Sequence, residues 1–332
     1  MAILVYSFIF GMRYNVGVDH LAYLDSYKIA SISEYNINSF HYEYGFRFLM
    51  MFLIGMNAHF AWFFAAISFL QLFLVFYSVK SFRSLYPFLV FTFMVGCVWL
   101  SFANGLRQEL AFCIFVFAIS FIEKRQWLWY YIMIVFAMSM HKTALLLVVF
   151  YPLFEYKKEW FKNKNIQLGL VFIAVVIGNV GIIQNYVGQL EVYAAYLGYE
   201  DYFLDRYADK IYQAIERKGI GYYVILTTNV ILVWLSTNCK NYFNCKYLFY
   251  IYDLYFVGVL MNYAFEGSQL LQRINYYFYG FAFIVGAFTL LYAKYNDKTK
   301  YYLLKSMYTL TFVATMYRME ENSSLFRFFW QV

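Results

Sequence analysis

Apolar runs of about 17–22 residues recur along the chain, and each is long enough for a helix to cross a hydrocarbon core about 30 Å thick. They lie at His59–Val79, Leu85–Phe102, Leu106–Ile122, Ile166–Gln184, Gly219–Thr237, Tyr247–Tyr263, Ile274–Ala293 and Tyr301–Tyr317. Lipid offers a bare backbone no hydrogen-bond partner, so the pattern predicts an all-α fold. We expect a polytopic transmembrane bundle of about 10–11 spans with a sizeable periplasmic loop region, forming one integral membrane domain over residues 1–332.

Shorter apolar stretches need a different placement. Trp127–Phe154 lies between two basic loops, so it must leave the membrane face and return, as a hairpin turning at Met140–Thr143. Its arms give roughly 21 and 17 Å of helix, which keeps His141 recessed near headgroup depth. Phe46–Met56 is too short to span, and is expected to lie as an amphipathic helix along the outer interface. It closes the outer loop region 13–58; a second large outer loop, rich in Tyr, Asp, Glu and Arg, covers 185–218. Residues 1–12 supply only about 18 Å of helix, so the first span is thinned or the true start lies upstream. That span would itself act as the targeting signal, since no cleavable leader pattern precedes it.

Composition agrees: with 63% hydrophobic and 14% charged residues, this is not a soluble globular chain. The charges it has are sorted by side. Lys80, Arg83, Lys124, Arg125, Lys157, Lys158, Lys162, Lys164, Lys240, Lys246, Lys294, Lys298, Lys300 and Lys305 share one set of loops. Only Glu123, Glu155, Glu159 and Asp297 oppose them there. That side is cytoplasmic by the positive-inside rule. The basic pI orients the protein and does not imply nucleic acid, since no block of five or six basic residues occurs. Cys97 and Cys113 fall inside spans, and Cys239 and Cys245 lack a CxxC spacing, so neither zinc nor a disulfide framework is indicated. Nucleotide-binding, HExxH and G-x-S-x-G motifs are absent, which removes support for nucleotide-driven transport, zinc hydrolysis and serine esterase chemistry.

All four histidines (His20, His41, His59, His141) then fall at the outer face, together with arginines and acids. Titratable groups gathered at one water–lipid boundary suit work on a lipid-attached substrate better than lining a pore. Arg13 emerges from the first apolar stretch and is followed by Gly17, Asp19, Tyr23 and Glu43; the plainer alternative is a loop with an Arg–Asp salt bridge. Arg107 opens a span beside Gln108, where guanidinium and helix N-terminus together favour an anion, although snorkelling is common for such an arginine. Glu109, deeper in that span, should have a partner. His141, partly shielded at the hairpin tip, suits general-base work on a sugar hydroxyl, the rival being a satisfied polar residue in a turn. Arg273 repeats the Arg107 geometry. Arg206 sits with Asp201, Asp205 and Asp209 in a loop that lacks calcium spacing and suits a solvated helical face. Asp253 is an unassigned acid within a span.

Taken in order, Arg13-x-x-Val-Gly-x-Asp19-x-x-x-Tyr23, Glu43-x-Gly45-Phe46, Arg107-Gln108-x-x-Ala111 and His141-x-Thr-Ala144 resemble the EpsG family of Wzy-type polysaccharide polymerases. The likeness covers residues 13 to about 155. It implies polymerisation of an undecaprenyl-diphosphate-linked oligosaccharide at the outer face of the bacterial inner membrane, by a metal-independent inverting glycosyltransferase without cofactors. Arg13, Arg107, Arg273 and Arg206, with Tyr23 and Gln108, would then hold diphosphate and substrate. His141 would be the base, with Asp19 or Glu43 next. A chain-length regulator and a flippase are the expected partners. The alternatives are an O-antigen ligase, and a lipid-linked oligosaccharide flippase, which should carry mid-membrane charges and inverted repeats.

Cysteines placed at Gln126 and at Thr143 should label from opposite sides with a membrane-impermeant maleimide; labelling from the same side would undo this orientation.

Overall fold

The computed structural model describes residues 1–17, 19–32, 42–156, 159–181, 218–266, 268–318 and 327–331, and it is all-α apart from one two-stranded ribbon. The chain forms two compact units, Met1–Lys158 with Met316–Val332, and Glu159–Thr315. The expected loop 185–218 lies outside the described residues except for Lys218.

In the first unit, α1 (Ala2–Gly11) packs on α4 (Phe60–Ser78), which packs in turn on α7 (Leu106–Glu123), and α7 on α8 (Trp127–Met140). Gly11 permits the first contact: a Cβ there would stand 2.6 Å from that of Ala65. Beyond its first turn helix α7 is apolar on nearly every face and buried over most of its length, as a central helix should be. The region expected at the outer face contains α2 (His20–Ala30) and α3 (Tyr44–Gly55), the latter matching the short helix expected after Glu43. A strand β1 (Arg13–Tyr14) pairs antiparallel with β2 (Arg327–Phe328).

Two expected spans are remodelled. Leu85–Phe102 is bent by 70° between α5 (Tyr86–Val95) and α6 (Val98–Asn104). Cys97 takes a left-handed conformation at the break (φ 57°). At the break the Met94 carbonyl accepts both the Cys97 N–H, at 3.2 Å, and the Trp99 indole N–H, at 3.1 Å. The return arm of the hairpin is a 3₁₀ helix over Lys142–Val149 followed by α9 (Phe150–Tyr156). At about 2 Å per residue the 3₁₀ segment alone covers roughly 16 Å, so this arm reaches farther than an α-helix of equal length.

The second unit contains α10 (Lys164–Val180), α11 (Ile220–Phe243), α12 (Lys246–Ala264), α13 (Gln269–Tyr279), α14 (Ala282–Asn296) and most of α15 (Lys298–Arg318). The buried α12 touches α10, α11, α13 and α14. Gly178 lets α10 meet the Tyr263 carbonyl, and Gly258 lets α13 close on α12. Inside, the Asn229 amide donates to Tyr263 and Tyr279 hydroxyls at 2.9 and 2.8 Å and accepts from Tyr255 at 3.1 Å. At the other end Asp253 accepts backbone N–H bonds from Trp160 (2.7 Å) and Phe161 (3.4 Å). Lys240 donates to Glu159 (2.8 Å) and to the Phe161 carbonyl (2.7 Å). Asp253 therefore pins the segment entering α10.

The protein is a multi-pass membrane protein. Among the described residues three helices are long and apolar enough to cross on their own, Phe60–Ser78, Ile220–Phe243 and Leu271–Asn296, and the bent pair makes a fourth. The 10–11 apolar segments expected include helices below that length: α8, at the 14 residues expected for its hairpin arm, and α10, at 17. Helix α7 carries Arg107, Glu109 and Glu123 within its length.

Replacing Asn229 with Leu should destabilise the second unit by about 2 kcal/mol, because three buried hydroxyls lose a partner; melting in detergent compared with wild type measures it.

Candidate active site

A polar cluster of the first unit is organised around Glu43, the N-cap of α3. Its carboxylate accepts from Arg107 Nη1 at 2.7 Å, from His141 Nδ1 at 3.2 Å and from the backbone N–H of Lys142 at 3.0 Å. Two distant segments thus meet on one side chain. Helix α8 ends at His141, whose extended conformation turns the chain outward while its N–H still closes on Ala137 at 2.9 Å. The approach needs Gly45, since a Cβ there would run into Ser139 and lie 2.8 Å from Met140 Cε. Arg107 stands in the first turn of α7, behind the Gly105 N-cap. Burial opposes ionisation of Glu43, but the His141 hydrogen bond, the Arg107 charge and the Lys142 amide outweigh it and bring its pKa down to about 2. Glu43 is an anion at any working pH, and a poor proton acceptor.

Arg107 is held from other sides too. Its guanidinium lies over the Tyr42 ring, 4.7 Å from the centroid, and interacts with the Tyr23 phenol. Its Nε is buried with no partner among the described residues. Tyr42, Tyr23 and Phe46 pack edge to edge beneath it, and Tyr42 is tied to Ser26 at 2.9 Å. Asp19 is exposed at the start of α2; its backbone N–H donates to Asn104 Oδ1 at 2.9 Å, and its charge acts on Tyr23. Gln108 is half-buried next to Arg107.

Arg13 has a different setting from the one its place in the sequence suggests. It is 0% exposed, and each guanidinium nitrogen donates to a carbonyl: Phe10 at 2.6 Å, Ala103 at 2.7 Å and Val16 at 3.3 Å. The rings of Phe64 and Phe10 flank it at 5.0 and 5.6 Å. Burial lowers its pKa to about 10, so it remains charged near neutrality. As placed, it offers no N–H to a phosphate.

The histidines diverge in role. His20 is buried against Phe64 (centroids 4.6 Å apart), and both ring nitrogens lack a partner among the described residues. Burial, then the Arg13 charge, pushes its pKa down to about 3, so it is neutral. His59 caps α4, its Nδ1 accepting from Ala61 N–H at 3.4 Å. His41 and Arg206 lie outside the described residues, with Asp201, Asp205 and Asp209. Arg273 is exposed on α13 of the second unit.

The first unit therefore brings together Glu43, Arg107, His141, Tyr23 and, at its edge, Asp19. Tyr42 belongs to the cluster without a motif to mark it, and Asn104 joins it from the Asn104-Gly-Leu-Arg107 segment that opens α7. Tyr42 adjoins Glu43 in the chain, which is the one signal that could have found it. Among the described residues no group of three or more His, Cys, Asp or Glu is placed to hold a metal.

A family model described as the EpsG family matches residues 1–330. The chain belongs to the EpsG family. It is thereby a Wzy-type, polymerase-like membrane protein, and the family covers the second unit as well as the motif-bearing first. Comparison with curated proteins and with solved structures finds no match.

Because the folded pKa of Glu43 is depressed, its ionisation stabilises the fold above the ordinary carboxyl value near 4.5 and ceases to do so as pH falls through about 2. Glu43→Gln should melt lower than wild type at pH 7, and the gap should close as pH drops from about 4.5 toward 2. A gap independent of pH would show that the carboxylate is not held as described.

Proposed function

We propose that this protein extends a glycan by transferring the growing chain from undecaprenyl diphosphate to the non-reducing-end hydroxyl of an incoming lipid-linked repeat unit, at the periplasmic face of the inner membrane. The observation that carries this reading is the double engagement of Glu43 by Arg107 and His141. A carboxylate on Nδ1 fixes the imidazole tautomer with its proton on that nitrogen, which leaves Nε2 as the acceptor.

The step then balances as follows. His141 Nε2 takes the proton of the acceptor hydroxyl, whose oxygen bonds to the anomeric carbon from the face opposite the diphosphate. The anomeric carbon–oxygen bond breaks and its electron pair leaves on the diphosphate. Glu43 stabilises the imidazolium that forms; it orients the base instead of serving as one. Arg107, its side chain 23% exposed, supplies the positive charge that offsets the departing oxygens. A lipid diphosphate is already a good leaving group, so the scheme calls for neither a metal nor a dedicated acid. Tyr23 and Gln108 remain substrate contacts beside Arg107, and Asp19 an edge contact for a sugar hydroxyl. Arg273 and Arg206 are proposed as phosphate contacts on their own segments.

A deletion strain should accumulate one repeat unit per lipid in place of a ladder. Arg107→Ala and His141→Ala should each lower polymer yield about 10²–10³-fold in reconstituted membranes. A ladder retained on lipid but missing from its final acceptor would mean a ligase, and repeat units confined to the cytoplasmic leaflet a flippase.

A further inference from the structure

We infer that Arg13 is a positioning residue of the proposed polymerase site and that, with Asn104, it sets Arg107 in register with Asp19 and Tyr23. The inference rests on the polymerase reading for its functional half and on first-unit geometry for the rest.

Phe10 and Ala103 stand in the last turns of α1 and α6, whose terminal carbonyls have no partners within their own helices. Both carbonyls turn onto one buried guanidinium, at 2.6 and 2.7 Å, so a single cation joins the ends of two helices, one 3 and the other 90 residues from it in the chain. The third bond, to Val16, curls the segment that follows Arg13 back onto it. Gly17 continues that curl at φ +96°, with the Ala103 carbonyl and Asn104 close to where a side chain would project. Asn104 then takes the Asp19 N–H at 2.9 Å. One residue later Gly105 caps α7, and Arg107 stands in its first turn. Beside the direct contact of Tyr23 with Arg107, the link through Asn104 and the Asp19 N–H lies next to the Ala103 carbonyl that Arg13 holds. The β1–β2 pairing and the Phe329 N–H on the Met12 carbonyl (3.0 Å) hold the strand that bears it from the other edge.

A lysine cannot replace this group, because one ammonium cannot meet three carbonyls on separate segments with the fixed spread of a guanidinium. A residue that contacts a phosphate behaves differently: charge alone recovers much of its effect. In reconstituted full-length protein, Arg13→Lys and Arg13→Met should both lose about 10²-fold in turnover, as a displacement of about 1 Å in a catalytic group would cause. Arg13→Lys at near-normal turnover with Arg13→Met inactive would overturn the inference and make Arg13 a phosphate contact.

A second measurement needs no turnover. Arg13 and Glu43 share no hydrogen bond, so their effects on substrate-free melting should be independent unless Arg13 delivers Arg107 to Glu43. The cycle of Arg13→Met with Glu43→Gln should be non-additive, and additivity would overturn the inference. If the Arg13 variants do not accumulate, Asn104→Ala takes their place: about tenfold lower turnover with wild-type melting supports the register, and unchanged turnover refutes it. A wild-type protein that makes no polymer would defeat the functional reading, while the melting cycle would still decide the clamp.

Discussion

One half-buried carboxylate organises a polar cluster of the first unit. Removing a charge from water costs several kcal/mol, and that cost is met only where donors converge on the charge. Glu43 has three, from α7, from the end of α8 and from the backbone behind it. Each charge-assisted bond contributes about 1.5–3 kcal/mol, enough in sum to hold the anion. The same bonds set the direction of an imidazole and anchor one arm of a guanidinium. Structure and chemistry therefore depend on the same atoms, and the absent Cβ of Gly45 is what lets α3 come close enough to make them.

Two arginines of the first unit show how context divides one side chain between two tasks. Arg13 places each of its three nitrogens on a backbone carbonyl inside the protein, with aromatic rings on its flanks. Arg107 gives one nitrogen to Glu43, rests on Tyr42, and keeps a buried Nε without a partner among the described residues. The first arrangement gains by being complete. The second leaves its side chain 23% exposed, and a positive charge so placed favours an anion beside it. His20 and His141 part in the same way, one enclosed by rings and neutral, the other set against a carboxylate.

The second unit solves the membrane problem by internal pairing. Asn229 satisfies itself on three tyrosines, Thr228 on Thr311, and Ser236 on Thr289. Polar side chains in helices that lipid surrounds stabilise when they pair and penalise when they do not, which accounts for their matched arrangement. Asp253 and Lys240 obey the same rule, bonded to backbone and to Glu159. No part of this network requires a substrate to explain it.

Hydropathy alone determined that the chain is helical and membrane-embedded, because lipid excludes every unpaired backbone and runs of about twenty apolar residues leave few other solutions. It also located the short helix after Glu43 and the turn at His141, and motif order grouped Arg13, Asp19, Tyr23, Glu43, Arg107 and His141 as one set, of which Arg13 folds onto backbone carbonyls instead. Hydropathy could not show the break at Cys97, the 3₁₀ arm after Lys142 or the two-unit division, since apolar side chains read alike in straight and broken helices. Nor could it tell the two arginines apart: Arg13 and Arg107 each follow or open an apolar run. Their roles were decided by which carbonyls and carboxylates folding brought within 3 Å, and those partners lie from 3 to 90 residues away in the chain. Periodicity carries no record of such long-range pairing; only the packed structure does.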